Sequence, residues 1–130
     1  MLNAVLTWTL SWVDGDGNTV KPPAKSVACP YLVSNAGEIP VPAATPQGTE
    51  IDMPFTGIGA AATCVYVENL TGQELGMAWG GNFMPNIPAG GALLFAHPRA
   101  VGAGPIVALR FFLTRVQAAP GTINFLVFGT

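Results

Sequence analysis

Glycine and proline divide this sequence into short segments, and that division limits the folds open to it. The 130 residues include 16 Gly and 12 Pro, and the runs between them resemble strands that recur roughly every 8 to 15 residues. None of these runs has the length and apolar spacing of an amphipathic helix. Parallel sheets need long crossover connections, which are usually helices. The sequence therefore predicts a single all-β domain over residues 1–130, an antiparallel β-sandwich or jelly roll of about eight strands.

The clearest predicted strand covers residues 4–12. Leu6, Trp8 and Leu10 alternate there with small polar residues, so one face of the strand is uniformly apolar. We therefore expect Trp8 and Leu10 to belong to the core. Alternating or β-branched residues predict further strands over residues 27–33, 49–55, 63–69, 74–79, 92–97, 105–115 and 122–128.

Two segments between the predicted strands have a different character. The run from Asp14 to Asn18 contains Asp-Gly twice, which predicts a hairpin or tight loop. It resembles the start of a calcium loop, but Thr19 and Lys25 stand where that loop needs glycine and glutamate, so a turn is favoured. Residues 39–46 contain three prolines and are predicted to form an extended strap on the surface.

Charged residues make up only 9% of the chain, against about 25% in typical soluble domains. Such a sparse surface favours assembly into an oligomer over a solitary monomer. The net charge is −2 and Lys and Arg form no run, so nucleic acid is excluded as a partner. The uncharged stretch 75–96 is interrupted by Pro and Gly, which excludes a transmembrane helix. The N-terminus shows no export signal.

Residue types that carry chemistry are few. His97 is the only histidine, and no serine lies in a nucleophile-elbow sequence. Cys29 and Cys64 lack the spacing of a metal site, and we interpret them as small buried apolar residues, with a disulfide as the open alternative. Glu50 and Asp52 share a strand face, a pattern more typical of a solvated surface than of glycoside hydrolysis. We expect no enzymatic activity, no metal and no cofactor.

Aromatic and large apolar side chains in loops or at strand edges are candidates for contact with a partner. The segment 79–85 places Trp79, Phe83 and Met84 among glycines, and Tyr31 lies in another predicted strand. Such side chains can anchor a protein interface or stack on sugar rings. They can equally pack into the ends of a sandwich core. We take these four residues as candidates for interface or ligand contact.

The C-terminal half resembles a known family of virion proteins. Its strand and turn sequences run VYVENLTG at 65–72, IPAGG at 87–91, IVALR at 106–110 and APGTIN at 119–124. This succession, within residues 62–130, is similar to small trimeric β-sandwich cement or decoration proteins of tailed bacteriophage capsids and to related tailspike tips. The resemblance implies a homotrimer on the capsid exterior, made in the host cytoplasm and bound to the shell protein, with no cofactor and no catalytic residues. The alternative is a carbohydrate-binding or receptor-binding module that contacts host surface glycans.

Overall fold

The computed structural model describes residues 1–59, 61–79, 82–96 and 108–130, without the side chains of Trp79, Asn82 and Phe83. Every strand pairing in these ranges is antiparallel, which confirms the all-β antiparallel prediction. No helix in the described ranges is long and apolar enough to span a membrane. The strands are β1 (Leu2–Trp8), β2 (Trp12–Val13), β3 (Thr19–Val20), β4 (Lys25–Tyr31), β5 (Val33–Val41), β6 (Glu50–Asp52), β7 (Ala62–Leu70), β8 (Leu75–Trp79), β9 (Asn82–Ile87), β10 (Ala92–Ala96), β11 (Leu109–Leu113) and β12 (Gly121–Gly129).

Strands β5 to β12 form two four-stranded sheets that pack as a jelly roll. The first sheet has the order β10-β7-β12-β5 and the second the order β6-β11-β8-β9. All but one of the connections between consecutive strands of this set pass from one sheet to the other, and only β8 and β9 are neighbours in the same sheet. This pairing of two Greek keys is the jelly-roll topology. The predicted fold class is therefore confirmed, including the number of sandwich strands.

The core lies between the two sheets and is built from side chains that alternate along the strands. Val65, Val67 and Ile123 on the first sheet, and Met77 and Phe111 on the second, are at most 1% exposed and belong to one apolar cluster. Their neighbours along each strand point outward, because side chains in a strand alternate between its two faces. Burial of this apolar area is the main term that stabilises the fold.

Residues 1–32, which we call the N-terminal arm, lie outside the two main sheets. Strand β1 pairs with β4, from Leu2 opposite Tyr31 to Trp8 opposite Lys25. Strand β2 pairs with β3 and closes the same long hairpin around residues 14–18. The turn that Asp-Gly predicts is confirmed. The main-chain N–H groups of Asp16 and Asn18 each donate to Asp14 Oδ1 at 2.9 Å.

The placement of Trp8 and Leu10 in the core is wrong. Trp8 is 38% exposed and Leu10 is 62% exposed, and strand β1 ends at Trp8. The alternation of residues 4–12 does produce an apolar face, but only its first two residues, Ala4 and Leu6, are half-buried. Alternation along a strand shows which of its faces is apolar. It does not show whether another part of the fold packs on that face.

Two proline-containing segments are more regular than expected. The surface strap 39–46 is correct only in part, because its first three residues belong to β5, where Pro40 lies opposite Thr122 and Val41 is 1% exposed. The segment after Trp79 forms strand β9, which contains Pro85 beside a register shift. Both strands lie at sheet edges, where the missing proline N–H removes no ladder bond that the sheet needs. Residues 97 and 105–107 of the predicted strands lie outside the described residues.

Candidate functional site: the N-terminal arm

The root of the arm is fixed to the sandwich by three consecutive residues of the chain. The hydroxyl of Thr63 donates to the carbonyl oxygen of Pro30 at 2.7 Å. The ring of Tyr31 lies 4.8 Å from that of Phe128, at an interplanar angle of 53°. The main-chain N–H of Leu32 donates to Gly129 O at 2.9 Å. These contacts hold strand β4 against the ends of β7 and β12.

The two cysteines meet at this root. Cys29 on β4 and Cys64 on β7 are unbonded in this structure and 0% exposed, so their interpretation as small buried residues is confirmed, and a disulfide between them stays open. The two thiols are hydrogen-bonded to each other. Burial raises the pKa of Cys29 above its ordinary value, and burial together with the nearby Cys29 raises the pKa of Cys64 to about 12. Both groups are therefore neutral thiols at physiological pH.

Beyond its root, the arm concentrates the exposed apolar side chains of the protein. Of the 11 large apolar side chains that are exposed among the described residues, eight lie in residues 1–32. Val5 and Val13 are each 66% exposed, Leu2 is 62% exposed and Trp12 is 49% exposed. They are not confined to one face, because Val5 lies on the opposite side of β1 from Leu2. The full set is Met1, Leu2, Val5, Trp8, Leu10, Trp12, Val13 and Leu32.

This distribution is the main physical peculiarity of the molecule. A two-stranded hairpin is marginally stable in water unless further strands or another layer cover it. In the described part of the chain, β1 pairs with β4 alone. An apolar patch of this kind on a soluble protein marks a contact surface. The arm therefore has the properties of a contact surface.

The four residues proposed from sequence as contacts are not among the exposed apolar side chains of the arm. Tyr31 is half-buried against Phe128 at the arm root, and Met84 is half-buried against the core. Both therefore pack within the molecule. Trp79 and Phe83 lie on the paired strands β8 and β9, and their side chains are outside the described part of the structure. Contact with a partner stays a prediction for these four residues.

Sequence reasoning did not identify the arm as an interaction site, although a signal was present. Val5 and Val13 interrupt what would otherwise be the polar side of residues 4–13. A strand with one face on a core and one face in water carries apolar residues on one side only. Apolar residues on both sides indicate a strand that is covered on both sides, whereas Val5 and Val13 are each 66% exposed among the described residues.

The carboxylates Glu50 and Asp52 form an ion cluster with Arg110 on the outer face of the second sheet. Arg110 Nη1 lies 2.9 Å from Glu50 Oε2, and Arg110 Nε lies 2.7 Å from Asp52 Oδ1. The two carboxylates raise the pKa of the Arg110 guanidinium, with the hydrogen bond to Asp52 as the largest cause. All three side chains are about half exposed or more. The arrangement fits the solvated strand face that the sequence favoured.

A shallow groove of about 640 Å³ adjoins this ion cluster. Phe112 and Leu113 line it together with Gln47, Glu50 and Arg110. Phe112 lies against the backbone of Gly76, so closely that a Cβ atom at position 76 would stand 2.2 Å from a ring carbon. The glycine thus leaves room for the aromatic ring beside polar side chains, an arrangement that can accept a ligand with both polar and apolar faces.

The glycosylation-like sequence at residues 69–71 serves the fold. Asn69 is 0% exposed, and its amide nitrogen donates to the carbonyl oxygens of Gln73, Ile87 and Pro88 at 2.7, 3.0 and 3.1 Å. The hydroxyl of Thr71 donates to Asn69 Oδ1 at 2.7 Å. The amide is therefore fully engaged inside the protein and is not presented as a glycan acceptor.

Within the described ranges, no three His, Cys, Asp or Glu side chains come together as a potential metal site. Comparison of the sequence with models of protein families and with curated proteins gives no match. The features that bear on function are therefore the jelly roll, the arm and the chemistry of the surface.

Proposed function

We propose that this chain is a structural virion protein, a capsid decoration or cement protein that stabilises a shell through protein–protein contacts. The observation that carries the proposal is the arm, which holds most of the exposed large apolar side chains on a two-stranded hairpin. Covering the arm requires another protein surface. In this proposal the partners are further copies of the chain, arranged as a trimer, and the shell protein on the capsid exterior. The protein acts without catalysis, metal or cofactor.

The fold and the surface support the same proposal. Jelly rolls occur in viral capsid proteins and in lectins, and this analogy narrows the choice of function without deciding it. With 5 basic and 7 acidic residues on 7338 Å² of accessible surface, the protein carries about one formal charge per 610 Å². A sparse charge pattern suits a subunit whose surface is largely covered by neighbours, and repetition over a symmetric shell multiplies the effect of each contact.

Carbohydrate or receptor binding is the second candidate function, with host surface glycans as the ligand. It is favoured by the groove that Phe112 lines together with Glu50 and Arg110. Sugar rings stack on aromatic faces while their hydroxyls bond to carboxylate and guanidinium groups. This groove differs from the site that the sequence suggested around Trp79, Phe83 and Tyr31.

A particle-stability assay separates the two functions. Virions that lack this protein should release their genome at a lower temperature or under milder osmotic shock, and adding the purified protein should restore their resistance by mass action. Protein with both Val5→Asp and Val13→Asp should fail to restore it, because charges would have to be buried at the contact. Val116→Asp is the matched control, since Val116 is 57% exposed and lies outside the arm.

The opposite result would support glycan binding. In that case depleted particles would be as robust as complete ones, attachment to host glycans would fall, and Glu50→Gln with Arg110→Gln would reproduce the loss. Unchanged particle stability after both depletion and reconstitution would overturn the cement function.

A further inference from the structure

Two cysteines that are 35 residues apart in the sequence face each other where the arm joins the sandwich. Cys29 belongs to β4, the arm strand nearest the body, and Cys64 belongs to β7, a central strand of the first sheet. Both are 0% exposed, and their thiols are close enough to share a hydrogen bond. Their strands are not neighbours in a sheet, so a bond between them would join two separate parts of the fold.

We propose that Cys29 and Cys64 are a disulfide-forming pair, and that their oxidation covalently fastens the N-terminal arm to the jelly roll. This inference concerns the attachment of the arm and holds whatever partner the arm binds. It assigns a modification site that sequence reasoning left open, because spacing alone could not place the two residues together.

The surrounding contacts already hold the two strands in position. Next to the thiols, the hydroxyl of Thr63 donates to Pro30 O at 2.7 Å, so the residues adjoining Cys64 and Cys29 are themselves joined. On the other side, Phe128 lies opposite Cys64 in the sheet and contacts the ring of Tyr31. A disulfide requires its two Cβ atoms to lie about 3.5 to 4.5 Å apart. The hydrogen bond from Thr63 to Pro30 O holds the two strands together one residue away from each cysteine, which favours that approach.

The reaction is thiol–disulfide exchange with a low-molecular-weight disulfide such as oxidised glutathione. One cysteine loses its proton, and its thiolate attacks a sulfur of the small disulfide, which forms a mixed disulfide and releases one small thiolate. The thiolate of the second cysteine then attacks the sulfur of the first cysteine in the mixed disulfide. This step forms the bond between the two cysteines and releases the second small thiolate. The protein loses two protons and two electrons, and the small disulfide is reduced to two thiols.

Burial determines when this exchange proceeds. The thiolate is the attacking species, and a pKa of about 12 at Cys64 leaves little thiolate in the folded protein. Exchange is therefore fast in the unfolded chain or when the arm root opens, and slow once the root is closed. The same burial shields the finished bond from reductants. The disulfide therefore forms during folding or when the arm root opens transiently, and it is protected once the root is closed.

The test is to refold the protein in a buffer of oxidised and reduced glutathione and to compare it with the fully reduced protein. We expect the oxidised chain to lose two hydrogen atoms by mass spectrometry and to offer no thiol for alkylation after denaturation. Its Tm should exceed that of the reduced protein by about 10 °C, because the bond restricts the unfolded chain. Amide hydrogens of β4 should exchange more slowly with solvent in the oxidised form.

Cys29→Ala and Cys64→Ala serve as controls, and each should abolish the Tm difference between the two buffers. Since oxidised and reduced wild-type protein are compared directly, the result does not depend on whether the variants fold. Two alkylatable thiols after refolding in the glutathione buffer would overturn the proposal. So would a product that is only a glutathione adduct or a disulfide between two chains, or an intrachain bond without a rise in Tm.

Discussion

At the scale of single residues, the most constrained polar group is the buried amide of Asn69. It connects the end of β7 to the carbonyl oxygens of Gln73, Ile87 and Pro88, and so ties together the turn after β7 and the end of β9. Gln73 and Gln117 extend the network, since Gln73 Nε2 donates to Gln117 Oε1 at 2.6 Å. Because these groups are at most 3% exposed, each hydrogen bond replaces one that water can no longer make.

Asn69→Ala should therefore lower the free energy of unfolding by about 3 kcal/mol, because it removes three hydrogen bonds to carbonyl oxygens and the oxygen that accepts from both the N–H and the hydroxyl of Thr71. Asn124→Ala on β12 is the matched control. Its amide donates to Glu68 on the outer face, and its Oδ1 is buried without a partner in the described structure, so we expect a loss below about 1 kcal/mol. Urea unfolding measures both, and equal losses would contradict the role given to Asn69.

At the scale of elements, strand β1 of the arm has the apolar pattern of a core strand without the burial of one. In strand β1 the alternation is genuine, but among the described residues Trp8 at its end is left 38% exposed. Trp8→Ala should therefore cost about 1 kcal/mol in the isolated chain, whereas Phe111→Ala in the core should cost about 3 to 5 kcal/mol. Thermal unfolding of dilute protein compares the two. A loss at Trp8 as large as that at Phe111 would show that the arm packs on its own sandwich.

Most strands were predictable because their signal is local. The runs at 63–69 and 122–128 have the alternation of half-buried strands and appear as β7 and β12. The residues of β5 and β9 were not identified as full strands, because proline marks both segments as breaks. Their edge positions, which tolerate proline, depend on sheet order, and sheet order is a property of the whole chain. The meeting of Cys29 with Cys64 depends on it in the same way.

The candidate site was harder to predict than the fold, for a related reason. Aromatic content drew attention to Trp79, Phe83 and Tyr31, whereas the exposed surface that dominates the structure is largely aliphatic and lies at Leu2, Val5, Leu10 and Val13. Residue type indicates what a side chain can do in a contact. Whether that side chain is left uncovered is decided by the packing of the rest of the molecule.

At the scale of the whole molecule, surface area and charge lead to one expectation about assembly. The accessible surface is 7338 Å², whereas a compact monomer of this mass would have about 6,500 Å². An arm that lies outside the two main sheets adds to this surface. The arm adds apolar area while the chain as a whole carries few charges to keep that area in water.

We therefore expect the purified protein to form a trimer in solution, with three times the 13.4 kDa mass of the chain. The arm should supply much of the contact, since a stable interface buries about 1,200 to 2,000 Å² in total. Sedimentation or multi-angle light scattering at micromolar concentration measures the mass. Val5→Asp with Val13→Asp should shift it toward the monomer, while Val116→Asp should leave it unchanged. A wild-type protein that stays at the monomer mass would contradict assembly through the arm, and a defined oligomer of another size would contradict the trimer.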